Sequence, residues 1–71
     1  MTNYKITNLQ MRRTKQYGHY EIIGEVNGEL INTFTTDAEA FDFFNEDDED
    51  LRAESRAHCE WKLTQAYHNQ F

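Results

Sequence analysis

The first half of the chain alternates apolar and polar residues with the period of two that is typical of β-strands. Asn27-Gly28 separates two stretches rich in β-branched residues, 21–26 and 30–35, and such a pair between two such stretches predicts a β-hairpin. Residues 4–13 alternate in the same way and predict a third strand. The first half therefore predicts an antiparallel meander with one face covered and one face open.

The hairpin has two competing registers, and they bury different side chains. A two-residue loop pairs Val26 with Glu29 and divides the apolar residues between the two faces. A three-residue loop, with Gly28 in a bulge, pairs Glu25 with Glu29 instead. We expect this second register because it gathers more apolar side chains on one face. The residues it gathers are Tyr20, Ile22, Leu30 and Phe34.

The expected register leaves Ile23 and Ile31 as neighbours on the polar face of the sheet. An exposed pair of β-branched residues is common in soluble proteins. The alternative is a small self-association patch made of these two side chains.

The second half predicts two helices. Thr36-Asp37-Ala38-Glu39 matches a capping box with Thr36 as the N-cap, so a first helix is expected over 37–45. Five consecutive acids at 46–50 disfavour a continuous helix and suit the positive N-terminal end of a second one. That second helix is expected over about 48–69, with an apolar stripe towards the sheet. Its opposite side carries Ala57 and Trp61, which form a second candidate patch for self-association.

These elements predict a single α+β domain over residues 1–71. Its architecture is a three-stranded antiparallel β-meander followed by two C-terminal helices packed on one face of the sheet. The expected core comprises Leu9, Met11, Tyr20, Ile22, Leu30, Phe34, Phe41, Phe44, Leu51, Cys59, Leu63 and Tyr67.

Charge changes this picture because it is distributed unevenly. The 71 residues carry a net charge of −6; the first 35 contribute +1 and the remaining 36 contribute −7. An acidic surface repels nucleic acid and anionic membranes and attracts a basic partner. Five charges at 46–50, at the helical rise of about 1.5 Å per residue, approach the linear charge density of duplex DNA.

The acidic residues are thus candidate contacts to a basic groove on a partner protein, through imitation of a nucleic-acid backbone. The other interpretation is a solvated face that only keeps the chain soluble. The candidate partner-binding residues are Glu39, Asp42, Glu46, Asp47, Asp48, Glu49 and Asp50; four of these, Glu39, Asp42, Glu46 and Glu49, share one face if the helix continues.

Motifs for catalysis and metal binding are not found in the sequence. His58, Cys59 and His68 match no zinc-ligand spacing, and residues 46–57 lack the central glycine and final glutamate of a calcium loop. We therefore expect no enzyme, no catalytic residue, no metal and no cofactor. A single cysteine and an N-terminus without an apolar signal region predict a cytoplasmic protein without a membrane span.

In size, acidity and order of elements, the chain resembles small phage-encoded proteins that inhibit host defence systems or enzymes, including anti-CRISPR and anti-restriction inhibitors. The resemblance concerns architecture and assigns no residue a role. It implies a protein-binding inhibitor. The alternatives are a homodimeric structural or regulatory accessory protein and a weak single-stranded nucleic-acid binder. The last would use a corner formed by Arg12, Arg13, Lys15, Tyr4, Tyr17 and Tyr20.

Overall fold

The described part of the chain contains three antiparallel strands and two helices, as the sequence predicts. A computed structural model describes residues 4–70. The strands β1 (Ile6–Arg13), β2 (Tyr20–Val26) and β3 (Glu29–Thr35) form one sheet in the order β1-β2-β3. Helix α1 (Ala38–Phe43) and helix α2 (Glu49–Gln70) follow. The long helix α2 contacts all three strands, and α1 packs against α2.

The register of the β2–β3 hairpin differs from the expected one. Val26 pairs with Glu29, so the loop has two residues. Asn27 (φ 53°) and Gly28 (φ 87°) both lie in the left-handed region, as a type I′ turn requires. Such a turn matches the twist of the strands without a bulge, and Asn-Gly is its preferred sequence. The three-residue loop predicted from apolar content is therefore wrong.

This register exchanges the two faces of β3. Ile31 is 1% exposed and belongs to the core, so it does not lie beside Ile23 as a self-association residue. Leu30 and Phe34, which were expected in the core, are 73% and 53% exposed on the open face. Ile23 is half-buried there, opposite Asn32. Because the pairing differs by one residue from the expected register, every side chain of β3 lies on the face opposite to the predicted one.

The rest of the core largely follows the prediction. Ile22, Phe44, Cys59 and Leu63 are buried, and the remaining predicted members are partly buried. Val26 and Ala40 are buried as well, although the sequence analysis did not place them in the core.

A bulge in β1 brings its apolar residues to the helix side. Ile6 and Met11 are five positions apart and would face opposite sides of a regular strand. Asn8 adopts φ 55°, and Asn8 and Leu9 together lie opposite the single residue between the Thr7–Glu25 and Gln10–Ile23 pairs. The extra residue shifts the alternation of side chains by one position, so that Ile6, Leu9 and Met11 all pack against the core.

Both helices begin at an aspartate. Asp37, not the expected Thr36, caps α1, because its Oδ1 accepts a hydrogen bond from the Ala40 N–H at 3.0 Å. The first helix is shorter than predicted and ends at Phe43. The predicted break at the acidic run is present, and α2 begins at Glu49.

The register can be tested with two variants that each remove one methylene group. Ile31→Val should lower the free energy of unfolding by about 1 kcal/mol, because it opens space in a packed core. Leu30→Val should change it by less than about 0.5 kcal/mol, because Leu30 faces solvent. Urea denaturation of both variants measures the difference. A larger loss for Leu30→Val would contradict the two-residue loop.

Candidate functional site

The negative charge of the protein is concentrated where the two helices meet. Residues 37–56 contain nine carboxylates and two arginines, a net charge of −7, whereas the rest of the chain has a net charge of +1. We call these nine carboxylates the acidic junction. All are exposed except Glu46, which is half-buried. They are Asp37, Glu39, Asp42, Glu46, Asp47, Asp48, Glu49, Asp50 and Glu54.

The acidic junction is not the single helical face that the sequence spacing suggested. Glu39 and Asp42 lie on α1, Glu46 lies in the connecting turn, and Glu49 begins α2. Because α1 ends at Phe43, the helical rise does not apply to residues 46–48. The helix does not continue, so the condition for these four carboxylates to share one face is not met. The charge density calculated for residues 46–50 from the helical rise likewise does not hold, while the acids remain grouped at one place in the fold.

Two of the five consecutive acids stabilise the turn itself. The Asp48 Oδ1 accepts hydrogen bonds from the N–H groups of Asp50 and Leu51, at 2.9 and 3.3 Å. The Asp48 carbonyl accepts the first α-helical bond from the Arg52 N–H at 3.0 Å. Asp48 is thus the N-cap of α2. The Glu46 Oε1 accepts from the Asp47 N–H at 3.1 Å.

The side chains of Asp47, Glu49 and Asp50 make no hydrogen bond or ion pair within residues 4–70. Glu49 and Asp50 lie in the first turn of α2, where the helix dipole favours negative charge. These three exposed carboxylates therefore have no hydrogen-bonding or ion-pairing partner within the described residues.

The two arginines within residues 37–56, Arg52 and Arg56, make contacts other than ion pairs. The Arg52 Nη1 donates to the carbonyl oxygen of Glu46 at 2.9 Å. The Arg56 guanidinium lies 4.4 Å from the centre of the Phe44 ring. Within the described part of the chain, the one salt bridge joins Arg12 to Glu21 at 3.1 Å on the open face of the sheet. The carboxylates of the junction are consequently not paired with any cation of residues 4–70.

A shallow groove between α1 and α2 lies beside these carboxylates. Its volume is about 150 Å³. The Ser55 hydroxyl, which donates to the Ala40 carbonyl, joins the two helices at its floor. His58 Nε2 lies 3.0 Å from Thr35 Oγ1 and connects the groove to the sheet. The lining residues are Asp37, Glu39, Ala40, Phe43, Glu54, Ser55 and His58.

The groove can accommodate one extended cationic side chain. Three of its lining residues are carboxylates, and Phe43 supplies an apolar wall. A lysine or arginine buries its methylene groups against apolar surface while its charged end remains near oxygen atoms. The geometry therefore suits a cationic side chain better than an anionic group.

The potential metal ligands identified in the sequence are separated. His68 bonds to the Tyr4 hydroxyl and His58 to Thr35, while Cys59 is fully buried. Within residues 4–70, no three His, Cys, Asp or Glu side chains are positioned so that together they could hold a metal ion. Burial raises the pKa of the Cys59 thiol from 9.0 to about 11.

The basic and aromatic residues of the first half are mostly used within the fold. Arg12 pairs with Glu21, and the Arg13 guanidinium lies over the Phe41 ring. Tyr20 stacks on Phe41, with ring centres 4.5 Å apart, and Tyr4 packs edge-on against Tyr67. Lys15 and the fully exposed Tyr17 remain in the loop between β1 and β2.

Besides Tyr17 in its loop, large apolar side chains of residues 4–70 are exposed at two places. On α2, Trp61 is 58% exposed and its neighbour Ala57 is also exposed. On the open face of the sheet, Leu30 and Phe34 flank Asn32, whose side chain donates to Glu21 at 3.1 Å. The register expected from apolar content buries Leu30 and Phe34 and so does not predict this second surface. The preference of Asn-Gly for a two-residue turn is the signal in the sequence that favours it.

Comparison of the chain with protein-family models, curated protein sequences and solved structures gives no match. Within residues 4–70, neither helix combines the length and apolar character that crossing a membrane requires.

The capping role of Asp48 separates it from the freely exposed acids. Asp48→Ala should lower the free energy of unfolding by about 1 kcal/mol, because the N–H groups at the start of α2 lose their acceptor. Asp47→Ala removes an equal charge and should change stability by less than about 0.5 kcal/mol. Thermal or urea unfolding compares the two variants. Equal losses would contradict the assigned cap.

The raised pKa of Cys59 predicts a loss of stability at alkaline pH. The folded state holds the neutral thiol up to about pH 11, whereas the thiol of the unfolded chain has its ordinary pKa of 9.0. The stabilisation is complete below pH 9 and decreases as the pH rises towards 11. Urea unfolding from pH 7 to 11, compared with Cys59→Ala, isolates this effect from other titrating groups. A difference between the two proteins that stays constant with pH would contradict a buried neutral thiol.

Proposed function

We propose that this protein is a non-catalytic binding module whose acidic junction occupies a basic groove on a partner protein. The observation that carries the proposal is the set of nine carboxylates, none of which forms an ion pair with a cation within residues 4–70. Because carboxylates at a surface are well hydrated, their contribution to binding is mainly to attract and orient an oppositely charged partner.

The two parts of the junction would act at different stages of binding. The exposed carboxylates of the turn and of the first turn of α2 would accelerate encounter through their long-range field. The groove between the helices would then take a lysine or arginine of the partner between Glu39 and Glu54, against Phe43. Both helix starts are capped by aspartates, so a binding site of this kind requires no conformational change.

The partner groove that fits such a surface is one that normally holds nucleic acid. Lys and Arg side chains that contact phosphates respond equally to carboxylates placed before them. The module would therefore compete with nucleic acid for the groove, which is how a phage-encoded inhibitor of a host enzyme could act without chemistry of its own.

The burial of the single thiol, Cys59, also agrees with a protein that acts by occupying a partner's groove and not by catalysis. Cys59 is buried, and its pKa is raised, so the nucleophilic thiolate is disfavoured at neutral pH. A single unpaired thiol fits a reducing compartment such as the cytoplasm.

The proposal predicts that charge position matters more than net charge. Asp47→Asn with Asp50→Asn should weaken binding to a 12-residue Lys/Arg peptide by about three- to tenfold in low salt, since two exposed charges leave the junction. The matched control is Glu25→Gln with Glu60→Gln, which changes the net charge equally but outside the junction. Calorimetric titration at several NaCl concentrations measures both. Equal losses for the two pairs would contradict the junction as the binding site.

The same variants identify the kind of partner. The unmodified protein, immobilised, should retain a basic protein from cell lysate that added duplex DNA releases, and the Asp47/Asp50 variant should retain much less of it. Retention that DNA does not reduce would contradict a nucleic-acid groove while leaving the acidic junction as the contact.

A further inference from the structure

The outer edge of β3 has free backbone hydrogen-bonding groups. The Asn27 N–H donates to the Lys5 carbonyl at 2.8 Å, so odd-numbered residues of β2 direct their backbone groups towards β1. Even-numbered residues of β2 therefore bond to β3, and their partners there are Glu29, Ile31 and Thr33. The alternate residues Leu30, Asn32 and Phe34 direct their N–H and C=O groups outward. Within residues 4–70 no hydrogen bond reaches them there.

We propose that two copies of this chain pair through this edge, antiparallel, around a two-fold axis at Asn32. The two sheets would join into one sheet of six strands. In this register Asn32 meets Asn32 of the second copy, and Leu30 meets Phe34 of the second copy. All three outward-pointing residues then form hydrogen-bonded pairs, so the proposed register uses every free group of the edge.

The side chains of the open face fit this register. Leu30 and Phe34 are 73% and 53% exposed, and each would cover the other across the new strand pair. Pairs of aromatic and aliphatic side chains directly opposite one another stabilise antiparallel strands. Because the axis passes through Asn32, the contact forms twice.

Charge complementarity on the helix side selects the same register. A depression at the end of β3 is lined by His19, Phe34, Thr35, Thr36 and Lys62. Glu29 faces the helix side, is exposed, and has no ion pair within residues 4–70. Centring the pairing on Asn32 sets Glu29 of one copy opposite Thr35 of the other. The Glu29 carboxylate then lies beside Lys62, once at each end of the interface.

The other edge of the sheet is formed by β1, which has features that prevent such pairing. The bulge at Asn8 and Leu9 interrupts β1, and the strand ends in Arg12 and Arg13. Bulges and charged side chains are the usual means by which edge strands avoid pairing. β3 has no bulge, and its one charged residue is Glu29. The association therefore stops at two copies instead of continuing into a fibre.

A seven-residue edge is small for a protein interface, so the dimer should be weak and dependent on concentration. Sedimentation velocity from about 5 to about 500 µM covers the range expected for such a contact. The unmodified chain should change from monomer to dimer within it. A chain that stays monomeric throughout would overturn the proposal.

A proline at Asn32 tests the backbone pairing. Asn32→Pro removes an outward N–H and no bond of the β2–β3 ladder, so the fold should persist while the dimerisation Kd rises at least about tenfold. Asn32→Ala is the matched control, because it loses the same side chain and keeps the N–H. Circular dichroism verifies folding of both. If both variants dimerise equally, β3 is not the interface and the proposal is wrong.

A charge exchange tests the register. Glu29→Lys alone, or Lys62→Glu alone, places like charges together at both ends and should raise the Kd about tenfold. The double exchange should return it to within about threefold of the original. Glu60→Lys, an equal charge change on the other flank of α2, should have little effect. Failure of the double exchange to restore dimerisation would overturn the Asn32-centred register. None of these variants alters the acidic junction, so the dimer and the proposed basic partner are tested independently.

Discussion

The left-handed conformation of Asn27 and Gly28 is the constraint on which the remainder of the structure depends. It closes the hairpin with two residues and thereby decides which side chains of β3 face the helix. Ile31 enters the core for this reason, and Leu30 and Phe34 remain outside. The same constraint decides which backbone groups point away from the sheet at its free edge.

Helix α2 can lie close to the sheet because the central strand has no side chain where the helix crosses it. A Cβ at Gly24 would lie 2.7 Å from Leu63 Cδ1, closer than carbon atoms approach. Ile31 is the cross-strand partner of Gly24 and belongs to the same buried cluster as Leu63. The bulge in β1 complements this arrangement, because it turns Leu9 towards the space above Gly24. A core of small volume is thus closed by one helix without a disulfide.

The acidic junction combines structural and exposed carboxylates in one short segment. Asp37 and Asp48 satisfy the N–H groups at the two helix starts, and Glu46 supports the turn between them. Their neighbours Asp47, Glu49 and Asp50 have no such task within the described residues. Carboxylates near helix N-termini are stabilised by the helix dipole, so the fold tolerates this density of like charge where a sheet would not. The same short segment therefore provides a highly charged surface and stabilises the start of each helix.

The sequence by itself determined the elements and their order, because periodicity, the Asn-Gly pair and the acidic run each act over a few residues. It also located the negative charge in the second half and most of the core on β1, β2 and α2. It did not determine the face of β3 that is buried, since apolar content favoured Leu30 and Phe34 whereas the turn and the fit of Leu63 over Gly24 favoured Ile31. Nor did it determine how the carboxylates are arranged, because Glu39 and Glu49 would share one face only on a continuous helix, whereas α1 ends at Phe43. For β3 the two local signals, apolar content and turn preference, disagree, and the packing of the helix on the sheet decided between them. The arrangement of the carboxylates was decided by the tertiary structure because it depends on how the two helices meet.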